Sequence, residues 1–575
     1  MKSALFISYI FPPLGGSGVQ RTLKFIKYLR NFDWKPIVVT TGQLNFPQID
    51  YTMIEEIPED VRVIRINEQH SLTLNQLQNI TKLYDDLVKD KTILDDYLNL
   101  MSNEKASLIP DSCIAWANNV IEQIDSLIDI NKVDLVYTTS GPYSDHVVGY
   151  YLKRRFNKPW VADFRDEWTN NAYLNDIDKN SLIYKVHREM EESIVNFADS
   201  IITTTPLASD NYVSLFDLPK EKVFTVTNGY DEEDFQEIKI DKLARKNERF
   251  TIIHNGLLYS IRTPDTFLRA LYNLIKTNLI PRGKIQVQFI GAVEDKKQWE
   301  EYVKDLGIDD IVKFEEYLNH SESLTKAATA DVLLLIVGPG NKCKSVYTGK
   351  VFEYLRLGKP IISLSPPDGL VDKLIKKNNR GYNVEFHDIL AIENAIFKLY
   401  RKWANNEPLN LPITSDIRRF ERRELTRQLA SIFDKVLSMH QMKIKKDLIL
   451  KDVKDTLSRL LDLGNIEQAK QIINSNSDLL NVDAEMCTMK SIIEIAENKL
   501  EDAEITLKRA RRIDKTNVDV LYNLGYIYER KGLFNEALYY YEEALKYTTD
   551  QKFATELNVI IEKIKKNGSS PNFVI

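Results

Sequence analysis

Residues 4–22 read ALFISYIFPPLGGSGVQRT, and this stretch sets the expected fold of the first half of the chain. Ala4–Ser8 is short and apolar, as in a buried strand, and the glycines that follow precede a sequence with helical periodicity. At such a strand-to-helix turn, Gly15 and Gly16 would let backbone N–H groups approach a phosphate at the positive end of the helix. The spacing is neither G-x-G-x-x-G nor that of a P-loop, which disfavours ordinary nucleotide folds. A tight structural turn explains these glycines equally well.

Strand-like and helix-like stretches alternate along the chain, a pattern typical of doubly wound parallel sheets. The first series of predicted strands is Ala4–Ser8, Pro36–Thr40, Val61–Ile66, Asp134–Thr138, Trp160–Asp163 and Ser200–Thr204. The second series follows the charged stretch Ile238–Arg249 and comprises Thr251–His254, Gln286–Ile290, Val312–Glu315, Val332–Val337 and Pro360–Ser363. The repetition predicts two similar α/β domains joined by a linker.

Past Pro412 the strand pattern disappears, and Ser415–Met439, rich in Arg, Glu and Leu, is predicted as one long helix. From about Leu448 the chain is predicted to be helical throughout. Residues recur there at a spacing of 34, namely Ala469, Ala503 and Ala537, and, five positions earlier, Gly464, Asn498 and Gly532. The clearest copy contains Leu521-Tyr522-Asn523-Leu524-Gly525 and resembles the tetratricopeptide repeat, in which small residues let paired helices approach closely. An ordinary helical bundle is the alternative.

Size and composition indicate a folded protein of about three units. The chain has 575 residues, of which 43% are hydrophobic and 28% charged, close to the averages for globular proteins. Its formal net charge of −6 gives no general attraction to nucleic acid. No apolar run reaches the length of a membrane span or a cleavable signal. The three cysteines lie far apart, which favours a reducing cytoplasm and no structural metal.

Several short segments occur in one order along the chain and together carry a family resemblance. They are the proline-glycine opening through Lys24, Ile109-Pro110-Asp111 with Trp116, Thr139-Ser140-Gly141-Pro142 through Asp145-His146, Asp163-Phe164-Arg165-Asp166-Glu167-Trp168, Thr227-Asn228-Gly229-Tyr230-Asp231 and Thr348-Gly349-Lys350-Val351-Phe352-Glu353-Tyr354. In this combination they resemble the retaining glycosyltransferases of family 4 over roughly residues 1–440. The resemblance implies the GT-B fold, in which two facing Rossmann-like domains enclose a cleft and the second domain holds a nucleotide-sugar donor.

The resemblance also implies the domain limits. Residues 1–236 are expected to form the acceptor-side domain, with a final helix over 413–440 packing back on it. Residues 249–412 are expected to form the donor-binding domain, and residues 447–566 the repeats. Closure of the two domains over the donor would exclude water and limit hydrolysis.

The donor site is predicted on the second domain. A basic loop there carries Lys342, Lys344 and Lys350, and Thr348 and Gly349 stand at the start of a helix. A helix start offers free N–H groups and a partial positive charge, so a diphosphate could bind there. Glu353 lies one turn into the helix and matches the second glutamate of the family's E-x7-E motif, which implies two hydrogen bonds from ribose hydroxyls. A surface helix with an unattached glutamate is the alternative.

Two positions depart from the family pattern. Ser345 stands where the first glutamate of E-x7-E would contact the transferred sugar, and Leu257 stands where the family has an arginine of its phosphate-binding pair. Arg262 occupies the lysine position of that pair. Lys350 could supply the missing charge, and Ser345 or nearby backbone groups could supply the sugar contact.

The first domain is expected to hold the reacting groups of the acceptor side. Asp166 matches the aspartate of the family's His-Asp pair, and Arg165 replaces the histidine; an arginine stays protonated and cannot accept a proton at neutral pH. Asp166 or His146 could orient the acceptor hydroxyl, although a buried structural histidine is an equal alternative for His146. Enzymes of this type are thought to use the leaving phosphate oxygen as the base. No Asp-x-Asp motif stands at a strand end, so we expect no metal and no other cofactor.

The sequence thus predicts a cytoplasmic, metal-independent retaining glycosyltransferase, with the inner face of the membrane as an optional location. Its donor is expected to be a nucleotide sugar, with UDP as the commonest choice in the family. The acceptor could be a saccharide, a lipid-linked glycan or a protein, in polysaccharide or glycoconjugate synthesis. The repeats are expected to bind a protein partner or a second copy. The alternatives are a repeat scaffold with a decayed transferase and a sugar-nucleotide epimerase.

Overall fold

The structure is a computed structural model that divides the chain into two units, Met1–Ser438 and Met439–Ile575. The residues it describes are 1–46, 48–67, 74–103, 107–171, 178–236, 238, 247–410, 412 and 415–567. Each unit is described by itself.

The first unit contains two parallel sheets. The first sheet consists of β1 (Lys2–Ile7), β2 (Trp34–Thr41), β3 (Arg62–Ile66), β4 (Leu135–Thr139), β5 (Trp160–Phe164), β6 (Ser200–Thr203) and β7 (Val223–Thr225). Its order is β3-β2-β1-β4-β5-β6-β7. The second sheet consists of β8 (Phe250–Asn255), β9 (Ile285–Ile290), β10 (Val312–Glu315), β11 (Val332–Ile336), β12 (Ile361–Leu364) and β13 (Gly381–Val384). Its order is β10-β9-β8-β11-β12-β13.

Both sheets are the doubly wound structures expected from the sequence. Strands β4, β5, β8 and β11 are buried along their whole length, because helices cover both faces of a parallel sheet. Each sheet reverses its strand order once, between β1 and β4 and between β8 and β11. Ligands of such sheets bind at this reversal, outside the carboxyl ends of the strands. The loops after β1 and β8 are therefore the places where a ligand site is expected.

The helices of the first unit alternate with the strands. They are α1 (Ser17–Leu29), α2 (Leu74–Leu87), α3 (Lys91–Ser102), α4 (Ile114–Leu127), α5 (Ser144–Phe156), α6 (Leu182–Phe197), α7 (Pro206–Phe216), α8 (Asp265–Lys276), α9 (Lys296–Asp305), α10 (His320–Ala328), α11 (Gly349–Leu357), α12 (Leu370–Lys377), α13 (Ile389–Ala404) and α14 (Arg422–Asp462). The α14 helix continues beyond this unit.

The chain crosses from the second domain back to the first beside the interdomain linker, the segment between β7 and β8 through which it entered the second domain. Tyr230 donates its backbone N–H to the carbonyl of Phe420 at 3.0 Å, and Arg422 donates its own to the carbonyl of Tyr230 at 2.8 Å. A Cβ atom at Gly229 would lie 1.9 Å from the Phe420 carbonyl oxygen, so only glycine fits this approach. Beyond the crossing, α14 packs on the first sheet through Leu425, Leu429, Ile432, Phe433 and Val436, side chains that share one core cluster with β1 and β2.

The helix predicted to end near residue 440 instead runs on to Asp462, as part of the 41-residue α14, which is a correction. It also begins later than predicted, because Ser415–Phe420 forms a 3-10 helix. No glycine or proline interrupts the sequence between Arg422 and Asp462, so nothing stops the helix until Gly464, whose φ is 70°. Residues 441–449 are exposed, and the two units divide just before this stretch.

The second unit is helical throughout its described residues. Besides the end of α14 it contains α15 (Ile466–Ser475), α16 (Ala484–Ala496), α17 (Leu500–Ile513), α18 (Val518–Arg530), α19 (Phe534–Tyr547) and α20 (Gln551–Asn567). The repeat of 34 residues is visible in the backbone, because Gly464, Asn498 and Gly532 have φ values of 70°, 60° and 74° between paired helices. Ala469, Ala503 and Ala537 are fully buried at the helix contacts. Among the described residues, no helix has both the length and the apolar character needed to cross a lipid bilayer.

Candidate functional site

A cleft of about 250 Å³ lies between the carboxyl ends of the two sheets of the first unit. The first sheet contributes Gly16 after β1 and Arg165 after β5, and the second contributes Gly256 after β8, Gly291 after β9 and Thr348 after β11. The cleft therefore lies at the strand-order reversal of both sheets, where the fold favours ligand binding.

Glu353 is the acidic centre of the second-domain wall. Its side chain is 13% exposed, and its two oxygens contact different side chains, with Oε2 3.0 Å from Lys350 Nζ and Oε1 3.2 Å from His320 Nε2. Burial alone would raise the pKa of this carboxyl, but the charge of Lys350 and the hydrogen bond from His320 lower it to about 2. Glu353 is therefore ionised at neutral pH. A carboxylate can accept about four hydrogen bonds, and the contacts with Lys350 and His320 account for two of them.

The basic wall is formed by Lys350, Arg262 and the start of α11. Thr348 is the N-cap residue of α11 but makes no side-chain cap bond, and its buried Oγ1 has no hydrogen-bond partner among the described residues. Among the described residues beyond its chain neighbours and its own helix backbone, no atom lies within 4 Å of a Cβ built at Gly349, so this position faces open space. Arg262 stacks on Tyr259 with its guanidinium 5.2 Å from the ring centroid. Free N–H groups at a helix start, next to two cations, suit an anion.

The first-domain wall carries the glycine loop and Arg165. Gly16 has a φ of 99° and caps α1, and the backbone N–H of Gly15 donates to the Gln48 carbonyl at 2.8 Å. The Arg165 guanidinium lies against Gly18, where a Cβ would be 2.0 Å from Nη1, and donates to the Gly141 carbonyl at 3.2 Å. Asp166 follows directly and also lines the cleft.

The structure brings most of the predicted site residues into this one cleft. Those that line it are Gly16, Arg165, Asp166, Arg262, Thr348, Gly349, Lys350 and Glu353. Gly15 borders it, because a Cβ there would lie 3.1 Å from the hydroxyl of Tyr317, which lines the cleft. Ser345 instead lines a small side pocket of about 30 Å³ together with Arg165 and Asp166, and its hydroxyl donates to the Lys342 carbonyl.

His146 does not reach the cleft. It is fully buried, its Nδ1 lies 2.7 Å from Thr138 Oγ1, and its ring packs 4.3 Å from that of Phe164. Burial lowers its pKa to about 3, so it stays neutral. The expectation that His146 could orient an acceptor is corrected accordingly: α5 turns this side chain toward the core, which spacing along the chain does not reveal.

Two histidines and one arginine of the cleft were not predicted. His254, at the end of β8, donates from Nδ1 to the Leu334 carbonyl at 3.0 Å, and its Nε2 has no hydrogen-bond partner among the described residues. His320 bridges Glu353 and, at 3.7 Å, Asp234 of the interdomain linker. Arg422 comes from the start of α14. Only the position of His254 at a strand end could have pointed to it from the sequence.

One carboxylate cluster has the geometry of a cation site. Oxygens of Glu56, Asp231 and Asp234 lie within 4.8 Å of one another. The ammonium group of Lys24 contacts all three, at 2.5, 2.7 and 2.7 Å, and therefore fills the position of an ion. The cluster joins α1 of the first domain to the linker.

Comparison with known proteins supports the predicted fold and a relationship to glycosyltransferases. The tetratricopeptide repeat model matches residues 518–550. D-inositol 3-phosphate glycosyltransferase 1 of Catenulispora acidiphila is 25% identical over 209 residues, 34% of this chain and 48% of that protein. The D-inositol 3-phosphate glycosyltransferase of Saccharomonospora viridis is 26% identical over 133 residues, 22% of this chain and 31% of that protein. The chain thus matches less than half the length of these curated relatives.

Solved structures agree with the architecture of the first unit. A glycosyltransferase from Rickettsia africae ESF-5 is 14% identical with a TM-score of 0.50, covering 76% of this chain and 98% of its own. HepE from Anabaena, solved with UDP and glucose, is 14% identical with a TM-score of 0.51, covering 75% and 99%. At this identity the likeness shows the fold alone. The predicted fold of two Rossmann-like domains in a GT-B arrangement, followed by helical repeats, is confirmed, and the chain has glycosyltransferases among its homologues.

Proposed function

We propose that this protein is a glycosyltransferase that moves a sugar from a nucleoside diphosphate donor bound in the interdomain cleft. The observation that carries the proposal is the position of Lys350 at the open start of α11, with Arg262 lining the same cleft and the ionised Glu353 one turn further along the helix. The cations and the helix start suit a diphosphate, and the carboxylate suits the hydroxyls of a ribose.

The proposed chemistry places the charge of the leaving diphosphate on the second domain. Lys350, Arg262 and the first N–H groups of α11 would stabilise the negative charge that develops as the bond to the sugar breaks. Asp166 and Arg165 lie on the opposite wall, where an acceptor hydroxyl would approach the sugar. In the retaining mechanism that we propose, a phosphate oxygen of the donor takes the proton of that hydroxyl on the same face. No carboxylate nucleophile is then required.

We propose UDP as the nucleotide and a hexose or related sugar as the transferred group. HepE, which has a similar fold, was solved with UDP and glucose. The acceptor class stays open among saccharides, lipid-linked glycans and proteins, in cell-surface polysaccharide or glycoconjugate synthesis. The relatives named for inositol 3-phosphate add a phosphorylated polyol to the acceptors worth testing. The repeats would recruit a protein partner or a second copy of the chain.

Nucleotide binding tests the proposal directly. Isothermal titration of the full-length protein with uridine, UMP, UDP and UDP-glucose should show the tightest binding for the diphosphates. Replacing Arg262 or Lys350 by alanine should weaken UDP binding by about tenfold or more, because each removes a charged hydrogen-bond donor to the diphosphate. Equal affinities for uridine and UDP in the wild type would contradict the proposed site.

Turnover tests the reaction class and the proposed independence of metal. Incubation with a nucleotide sugar and an acceptor panel should yield a glycoside with the anomeric configuration of the donor, at a rate that EDTA does not change. Incubation of the donor alone should give only slow hydrolysis. An epimerised donor would instead identify a sugar-nucleotide epimerase, and a rate that EDTA abolishes would show that the cation set described above is insufficient.

A further inference from the structure

Arg422 brings a buried charge to the cleft from the first turn of α14. Its side chain lines the cleft together with Asn228, Gly229 and Glu353, and the residue is 5% exposed. Its Nη1 is buried without a hydrogen-bond partner among the described residues. A buried guanidinium normally has its donors satisfied, since an unpaired one costs several kcal/mol of desolvation. The contacts within the protein therefore do not account for the buried guanidinium of Arg422, and a bound ligand would.

The carboxylates that act on Arg422 from a distance are already paired with other groups. Asp231 and Asp234 each contact Lys24 at 2.7 Å, and Glu353 contacts Lys350 and His320. The nearby positive charge of Arg21 repels that of Arg422. The carboxylate of Asp163 is paired with Arg21, at 2.7 Å.

The charge of Arg422 persists at neutral pH. Burial and the repulsion from Arg21 lower its pKa to about 10, against the weaker attraction of Asp231, Glu353 and Asp234. At pH 7 the guanidinium thus remains protonated, and the cleft contains one cation that no described side chain neutralises at close range.

The backbone of Arg422 is held firmly. Its N–H donates to the Tyr230 carbonyl at 2.8 Å, and its carbonyl accepts from the Thr426 hydroxyl at 2.7 Å. The neighbouring linker segment is closely packed, because Gly229 lies directly against the Phe420 carbonyl. A charge on such a fixed support is preorganised for a ligand, since little reorganisation is needed when the ligand arrives.

We propose that the guanidinium of Arg422 binds a phosphate group of the ligand that occupies the cleft. This inference rests on the proposed function, and it adds a third cation to Lys350 and Arg262. The phosphate has two sources, the diphosphate of the donor or a phosphate on the acceptor. Leu257, which also lines the cleft, supplies no charge, so a cation from α14 completes the basic set.

The first arm of the test concerns the donor. Full-length wild type, Arg422→Met and Arg422→Lys are titrated with uridine and with UDP. If Arg422 binds the donor diphosphate, Arg422→Met lowers the affinity for UDP by about ten- to a hundredfold and leaves that for uridine unchanged. Arg422→Lys, which keeps the charge but not the planar fork, should recover part of the loss.

The second arm concerns the acceptor. Inorganic phosphate is titrated into each protein after saturation with UDP. If Arg422 serves an acceptor phosphate, the UDP affinities agree among the variants, and Arg422→Met abolishes the phosphate binding that wild type shows. Unchanged binding in both arms overturns the inference.

Two controls separate this inference from the proposed function. Arg262→Ala should lose UDP binding whether Arg422 binds the donor diphosphate or an acceptor phosphate. If the wild type does not distinguish UDP from uridine, the proposed function fails and this inference fails with it. A stability control excludes a merely structural role: without ligand, Arg422→Met should melt no lower than wild type, because it removes an unpaired buried charge. A lower melting temperature together with unchanged binding would assign Arg422 to the fold and contradict the proposal.

Discussion

The pairing of Glu353 with Lys350 and His320 can be tested through the pH dependence of the protein's stability. Its pKa of about 2 lies well below the ordinary value, so its ionised form contributes stability that is fully present above about pH 4.5 and is lost as the pH falls toward 2. The difference in melting temperature between wild type and Glu353→Gln should therefore stay constant from pH 6 to 5. From pH 4.5 to 3 the melting temperature of the wild type should fall relative to that of Glu353→Gln.

The comparison cancels the titrating groups that do not contact residue 353, because they are common to both proteins, and so reports on Glu353 with its partners Lys350 and His320. The melting transition to follow is the one that the first unit gives when the repeats are removed. A difference that stays flat down to pH 3 would mean that the carboxyl has an ordinary pKa and that its contacts with Lys350 and His320 are weak in solution.

Gly18 controls the position of Arg165. In Gly18→Ala the new Cβ would lie 2.0 Å from Nη1 of Arg165, so the guanidinium has to move, while alanine is otherwise favoured in a helix. We expect a folded protein with nearly unchanged UDP affinity and a transfer rate reduced by about tenfold or more, since small displacements of positioned groups slow catalysis strongly. Gly283→Ala is the matched control and should behave as wild type, because the described part of the chain, apart from the adjoining residues, places no atom within 4 Å of the new Cβ. Equal rates for the two variants would separate Arg165 from the reaction.

At the scale of single elements, the sequence predicted most of the fold. Long apolar strands such as β8 and β11 were predicted within one or two residues, because a buried parallel strand needs a continuous apolar run. The strands β7 and β13 were missed, since each is a short edge strand with partly exposed side chains. The extent of α14 was missed because exposed helical sequence between two folded units has no apolar stripe to mark its limits.

The candidate site was predicted where residues follow a motif and missed where only the fold assembles it. Lys350 and Glu353 lie in one segment on α11, so their spacing in the sequence was enough to predict their relative position on the helix. His254, His320 and Arg422 come from three separate elements and meet only in the folded domain. His146 belonged to a matching segment, yet the rotation of α5 buries it, and segment matching carries no information about rotation.

The turns between repeat helices make a second element-scale prediction. Gly532 and Asn498 occupy equivalent positions with φ of 74° and 60°, a region that costs other residues about 1–2 kcal/mol and that asparagine tolerates better. Gly532→Ala should lower the free energy of unfolding of the second unit by about 1 kcal/mol, whereas Asn498→Gly should not lower it. Thermal unfolding of the separate repeat segment and of the full chain would measure both. If Gly532→Ala is as stable as wild type, the shared turn geometry does not exist in solution.

At the scale of the whole molecule, the chain consists of two units with separate cores. The apolar cluster of the repeats contains only residues from 450 onward, and α14 contacts the first sheet through residues before 438. Repeat stacks bury their apolar faces against their own neighbours, so each unit should fold without the other.

Removal of everything after residue 446 tests this division, because the cut falls within the exposed stretch 441–449. The truncated protein should be folded and monomeric, bind UDP with the affinity of the full chain and hydrolyse the donor slowly. Transfer to the natural acceptor, or self-association, should be lost. Light scattering, titration and a transfer assay on one sample measure all three; insoluble protein, or loss of UDP binding, would show that the repeats belong to the catalytic fold.

The contact between Glu353 and Lys350 has a further consequence for how ligand binding responds to ionic strength. In the unliganded cleft the ammonium of Lys350 already has a counter-charge 3.0 Å away, so an incoming anion exchanges one ion pair for another. Added salt screens both states similarly, so the affinity for UDP should fall only shallowly between 50 and 500 mM salt. In Glu353→Gln the lysine has no such neighbour, and the same titration should become steeper.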